Sequence, residues 1–138
     1  MTLSRILVLV WLLPAHLLWS TELTTELNQL SRAYTESKSI VDHDRLLSFA
    51  ENSPPTIRAL ALFSAGMGDR ASEKYQEAAK HFSEAASGLG DLEHYASYYR
   101  LESLAKVGNH VGAISAAAGF LQQFTQSRFL GMAARVFT

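Results

Sequence analysis

The chain has 138 residues, 48% hydrophobic and 18% charged, a size and mixture that fit one small globular domain and exclude a disordered tail. Twelve Lys+Arg against thirteen Asp+Glu leave a formal charge of -1, so the clustered basic excess of a nucleic-acid binder is missing. With zero cysteines, disulfide frameworks, thiolate metal sites and cysteine nucleophiles are excluded as well.

At the N-terminus, Met1 to Arg5 carries one positive charge, Ile6 to Leu13 is an unbroken apolar run, and Ser20 is a small residue suited to cleavage. This pattern predicts a secretory signal over residues 1–20 and a mature domain over 21–138. Pro14 and His16 interrupt the run well short of the roughly 18 apolar residues a spanning helix needs. An uncleaved anchor is the alternative, and both readings place the chain outside the cytoplasm, in a secreted or periplasmic location. After cleavage no membrane attachment is expected, since no cysteine follows for a lipid.

Leu23, Leu27, Leu30 and Tyr34 then form a one-sided stripe of helical period within Thr21 to Ser37. Asp42 or Asp44 is expected to cap a second helix with Leu46, Leu47, Phe49 and Ala50 inside, ended by Asn52-Ser53-Pro54-Pro55. Pro55 suits the first turn of a third helix, whose pattern from Ile57 to Ala65 is apolar nearly all round and predicts packing on two sides. Gly66, Gly68 and Asp69 are expected to end or loosen it. A fourth helix is predicted over Ala71 to Ser87, a fifth over Asp91 to Lys106, a sixth near Val111 to Phe124, and a seventh from Ser127. No segment alternates apolar and polar residues long enough to be a strand.

Tyr75-Gln76-Glu77-Ala78 with Phe82 and Ala85 matches His110-Val111-Gly112-Ala113 with Ala117 and Phe120 at an offset of 35 residues, against a tetratricopeptide period of about 34. Small Ala78 and Ala113 let two helices approach closely, and larger side chains fill the gap to the next unit. Gly108 supplies the turn in one unit. Glu73 stands in its place in the other, which suggests a loop displaced to Gly66-Met67-Gly68-Asp69. The predicted fold class is all-α, with tetratricopeptide-like antiparallel helix pairs in a short right-handed α-solenoid; the alternative is an ordinary bundle with a coincidental echo.

The run Asp91-Leu92-Glu93-His94-Tyr95-Ala96-Ser97-Tyr98-Tyr99, followed by Gly108-Asn109, Ala113, Phe120, Phe124 and Ser127, resembles the helical N-terminal region of periplasmic soluble lytic murein transglycosylases. Ala59-Leu60-Ala61-Leu62 with Gly66, Tyr75 and Ala78 is similar to the preceding repeat of those proteins, so the likeness covers about Ala50 to Ala134. Thr125-Gln126 departs from the family's usual proline before the serine. The resemblance implies a non-catalytic arm that works beside a C-terminal domain cleaving peptidoglycan strands. The expected partners are then peptidoglycan, a periplasmic protein or peptide, and the chain's own catalytic domain. A stand-alone periplasmic adaptor is the alternative.

Candidate chemistry is sparse. Glu102-Ser103 mimics the family's catalytic Glu-Ser, but lies in a repeat helix with no Gly-Leu-Met-Gln-like segment after it, so no catalytic residue is expected. Glu77, His81 and Glu84 share helical spacing that would allow a metal face, yet alternating charges on a helix are usually a solvated, salt-bridged side. Asp42-His43-Asp44 reads as a cap before a helix. No metal and no cofactor are predicted. The one candidate binding site is a stripe of Tyr95, Tyr98, Glu102, Ala105 and Lys106, whose phenols, carboxylate and ammonium face a concave groove if the repeat register holds; packing of the tyrosines on a neighbouring repeat is the competing reading. Finally, Phe129, Leu130, Met132, Ala133, Val136 and Phe137 give the last segment an apolar face for which no following helix is in sight.

Overall fold

The computed structural model describes the backbone of residues 15–138 and side chains from residue 20 onward; the apolar run of the expected signal, Ile6 to Leu13, lies outside the described residues. Seven α-helices follow one another among the described residues: α1 (Ala15–Ser37), α2 (Ile40–Glu51), α3 (Pro55–Ala71), α4 (Tyr75–Ala86), α5 (Glu93–Lys106), α6 (His110–Gln123) and α7 (Leu130–Ala134), with short 3-10 turns at Gly90–Leu92 and Arg135–Phe137. No strand occurs among the described residues, as the missing alternation predicts. Helix α1 is continuous across Ser20 and Thr21. No helix among the described residues is long and apolar enough to cross a membrane.

The period runs further than the sequence match suggested. Four residues between α-helices lie in the left-handed region, and three of them, Lys38 (φ 52), Glu73 (φ 59) and Gly108 (φ 82), follow one another at intervals of 35 residues; the fourth is Gly90 (φ 55). The residues that follow the first three, Ser39, Lys74 and Asn109, are the N-caps of α2, α4 and α6. Residues 15–123 therefore form three helical hairpins, α1/α2, α3/α4 and α5/α6. Each helix packs on the next, and α1 also packs on α3. The loop of the middle unit is not displaced: Glu73 itself adopts the conformation Gly108 takes with ease, at a cost of roughly 1–2 kcal/mol for a residue with a Cβ.

Two local expectations are corrected. Ser39, rather than Asp42 or Asp44, caps α2 by accepting from the Asp42 amide. The Asp42 carboxylate instead accepts from the Ser37 and Ser39 hydroxyls, which hold it below its ordinary range. Gly66, Gly68 and Asp69 do not end α3, which continues to Ala71. The glycines are there for closeness: a Cβ on Gly66 would meet the Phe82 ring at 2.8 Å, and one on Gly68 would run into the Tyr34 ring. Packing overrides their poor helix propensity.

Two apolar clusters result. The larger joins α1 to α5 through buried Leu27, Tyr34, Leu46, Leu62, Phe82 and Leu89. The smaller joins Leu101, Ala117, Phe120, Phe129 and Ala133. In the last segment, Phe129 and Ala133 are thus buried on α5 and α6, while Met132 and Phe137 stay exposed. Part of the face expected to lack a partner finds one within the chain, because the segment turns back after Phe124 and keeps only one short α-helix.

Gly68→Ala is expected to lower stability by about 1–3 kcal/mol through overpacking against Tyr34, despite alanine's advantage in a helix. Glu73→Gly is expected to raise it by about 0.5–1 kcal/mol, relief of the left-handed strain exceeding the added chain entropy. Urea unfolding of both variants checks the two signs.

Candidate functional site

The predicted stripe on α5 divides in the structure. Tyr95 meets Phe129 edge-on at 5.2 Å, and Tyr98 stacks flat on the same ring at 4.3 Å. The Tyr98 hydroxyl donates to Met132 Sδ at 3.6 Å. Glu102 receives a two-pronged bond from Arg70 on α3, at 2.7 and 3.1 Å, and the guanidinium also lies 4.9 Å from the centre of the Tyr99 ring. The hydrogen bonds that Arg70 donates to Glu102 hold its charge firmly, raising its pKa. Ion-paired in this way, Glu102 is an anchor between the second and third hairpins. Lys106 is exposed at the end of α5.

Tyr98, Glu102 and Ala105 do converge, with Ile114 of α6 and Met132, Arg135 and Val136 of the last segment, around a cavity of about 320 Å³. Tyr95 and Lys106 do not line it. Burial, then the neighbouring Glu102 carboxylate, pushes the Tyr98 phenol up, so it enters the cavity wall as a neutral donor.

A second constellation lies between the first two hairpins. Asp69, in the last turn of α3, is fully buried. Its Oδ1 accepts from the Tyr34 hydroxyl at 2.6 Å, and its Oδ2 is 2.6 Å from His81 Nδ1. His43 Nε2 is 3.5 Å from Oδ1, too far for a good hydrogen bond, and it is buried with no hydrogen-bond partner. The His43 ring sits edge-on to Tyr34 at 5.2 Å and 5.7 Å from the His81 ring. Its other nitrogen, Nδ1, faces Asp44 Oδ1 at 3.3 Å. One ligand atom from each of His43, Asp69 and His81 lies within 4.8 Å of the others.

This arrangement corrects the sequence reading of both histidines. His81 does not share a solvent face with Glu77 and Glu84, which are exposed while it is buried. His43 is not in a turn but one helical turn into α2, with its side chain only 12% exposed. The missed signal is the period itself. Subtracting 35 from Ala78 and Ala113 lands on His43, where close helix approach calls for alanine. Leu46 and Ala116 occupy the positions equivalent to His81, and Leu104 follows Tyr34 and Asp69. Polar groups thus stand at positions that other units fill with apolar side chains.

Burial, and then the Asp69 carboxylate, pushes the Tyr34 phenol well above its ordinary range. A raised folded value means that its stabilising contribution is complete below the ordinary tyrosine pKa of about 10 and is lost as pH rises toward the folded value. Tyr34→Phe is accordingly expected to cost about 1.5–3 kcal/mol near neutrality, the range for a hydrogen bond to a charged group. The deficit relative to the parent should shrink above about pH 10, as read from urea midpoints.

Comparison of the chain with protein-family models, curated proteins and solved structures gives no match, so function is argued from this geometry.

Proposed function

We propose that this chain is a non-catalytic, tetratricopeptide-like binding module whose helix pairs form a short right-handed solenoid that takes up a segment of another protein. The observation that carries this reading is the half-apolar cavity of about 320 Å³ where α5, α6 and the last segment meet. Ile114, Met132 and Val136 offer it an apolar floor. Glu102 is already committed to Arg70, so the free charge at the mouth is that of exposed Arg135. An apolar side chain flanked by a carboxylate is the ligand this combination suits: burial of the first drives binding, and the arginine orients the second. Binding rather than catalysis is favoured because the Glu102 carboxylate is held as an ion pair by Arg70.

The likeness of Asp91 to Tyr99 and the following residues to lytic murein transglycosylases supports a narrower version, in which the module is an arm of such an enzyme in the periplasm and the bound segment belongs to its catalytic domain or to a cell-wall partner.

An array of peptides pairing one bulky apolar residue with acidic neighbours tests the proposal. Array binders are expected to lose at least about tenfold in affinity, roughly 1.4 kcal/mol, on Ile114→Glu. Val111→Glu, on an 83% exposed side chain away from the cavity, should leave affinity unchanged. Binders indifferent to Ile114→Glu would place recognition elsewhere. Retention of the chain on purified peptidoglycan sacculi separates the narrower version from a general peptide binder.

A further inference from the structure

We propose that His43, Asp69 and His81 form a zinc site that pins the first hairpin to the second. Three observations converge on it. The ligand atoms come from three helices, α2, α3 and α4, and already lie within 4.8 Å of one another, so only small rotations are needed to reach bond lengths of about 2.0–2.2 Å. His43 Nε2 is buried without a hydrogen-bond partner and is directed toward an Asp69 oxygen 3.5 Å away. Asp44 Oδ1 lies 3.3 Å from His43 Nδ1, and in the tautomer that donates there Nε2 keeps a lone pair free for a metal.

The surrounding contacts are those that orient metal ligands. Ligating histidines usually donate their other ring N–H to a carboxylate, and ligating carboxylates are themselves hydrogen-bonded. Here Asp44 serves His43, and the Tyr34 hydroxyl serves Asp69. The Tyr34 hydroxyl, which donates to Asp69 Oδ1 at 2.6 Å, is a supporting donor rather than a member of the ligand group. His81 offers Nδ1, the ring nitrogen that already faces Asp69, and would carry its N–H on the other ring nitrogen when bound. Two imidazoles and one carboxylate are a donor set for zinc, and three protein ligands leave one position for water.

The hydrogen-bonded contacts of Asp69 with Tyr34 and His81 leave His43 unexplained, since its Nε2 is buried without a hydrogen-bond partner; the histidines also depart from the repeat. Both, at positions 43 and 81, correspond to alanine in the third unit. A metal would also balance the single buried carboxylate, which otherwise faces two imidazoles and a phenol.

The test uses the full chain after metal removal, titrated with zinc chloride by calorimetry and with Co²⁺ by visible absorption. One zinc per chain, a rise in melting temperature and cobalt bands typical of low coordination number are the expected results. His43→Ala should fold, because the equivalent positions of the other units are alanine, and should weaken binding by at least about 100-fold; Tyr34→Phe should weaken it about 10–100-fold. His94→Gln, at a histidine outside the cluster, should change nothing. If the folded parent takes up no zinc, or if His43→Ala binds as the parent does, the site does not exist and the cluster is a hydrogen-bonded network only. These outcomes are independent of peptide binding at the Ile114 cavity.

Discussion

The buried carboxylate of Asp69 is the constraint around which the N-terminal two thirds of the molecule is arranged. A lone ionised group in an apolar interior is prohibitively costly unless it is hydrogen-bonded and compensated, and this one is bonded by residues from two other helices. Tyr34 reaches it from α1 and His81 from α4, while His43 of α2 stands 3.5 Å away without a hydrogen bond. For Tyr34 to do so, its ring must lie flat against α3, which is possible only because position 68 is glycine. The same glycine that looks like a helix terminator in the sequence is therefore a requirement of the polar centre one residue further on.

The third hairpin is attached by different means. Arg70 follows Asp69 directly and points the other way, across to Glu102 on α5 with its guanidinium over Tyr99. Adjacent residues at the end of α3 thus tie the middle hairpin to both neighbours, one through a buried network and one through a partly exposed ion pair. The two ties differ in strength. An ion pair with about a third of the Arg70 side chain and a quarter of the Glu102 side chain exposed is screened by solvent and contributes modestly, whereas removing one member of the buried network strands its partners without water.

Much of the fold was legible in the sequence because helical periodicity and turn residues are local signals. The stripe from Leu23 to Tyr34, the Pro55 start and the Gly108 turn all appear as read. The features that escaped are those in which a long-range contact overrides a local preference: Glu73 in a glycine conformation, and Gly66 and Gly68 inside a helix. The site escaped for a related reason. His43, Asp69 and His81 are scattered over 38 positions and each had a bland local explanation, as a cap, a helix end and a solvated face. Only the 35-residue period, extended back one more unit, exposes them as departures from a pattern. The α5 stripe shows the opposite error, since helical spacing correctly put Tyr95, Tyr98 and Glu102 on one side but could not show that Phe129 folds back onto the two phenols.

That fold-back matters for any binding role. Phe129 stacked on Tyr98 fills the place where the first helix of another hairpin would pack, and Ala133 lies buried beside it. By occupying the seam between α5 and α6 with one ring and a short helix rather than a full-length one, the segment leaves the space beyond Met132 open, and that space is the cavity. The aromatic stack and the cavity are two consequences of the same packing choice. A bulkier side chain at Ala133, fully buried now, would lift the segment and disturb both together. The geometry of the groove is therefore set from beneath, by how closely α7 can approach, and only secondarily by the side chains that line its mouth.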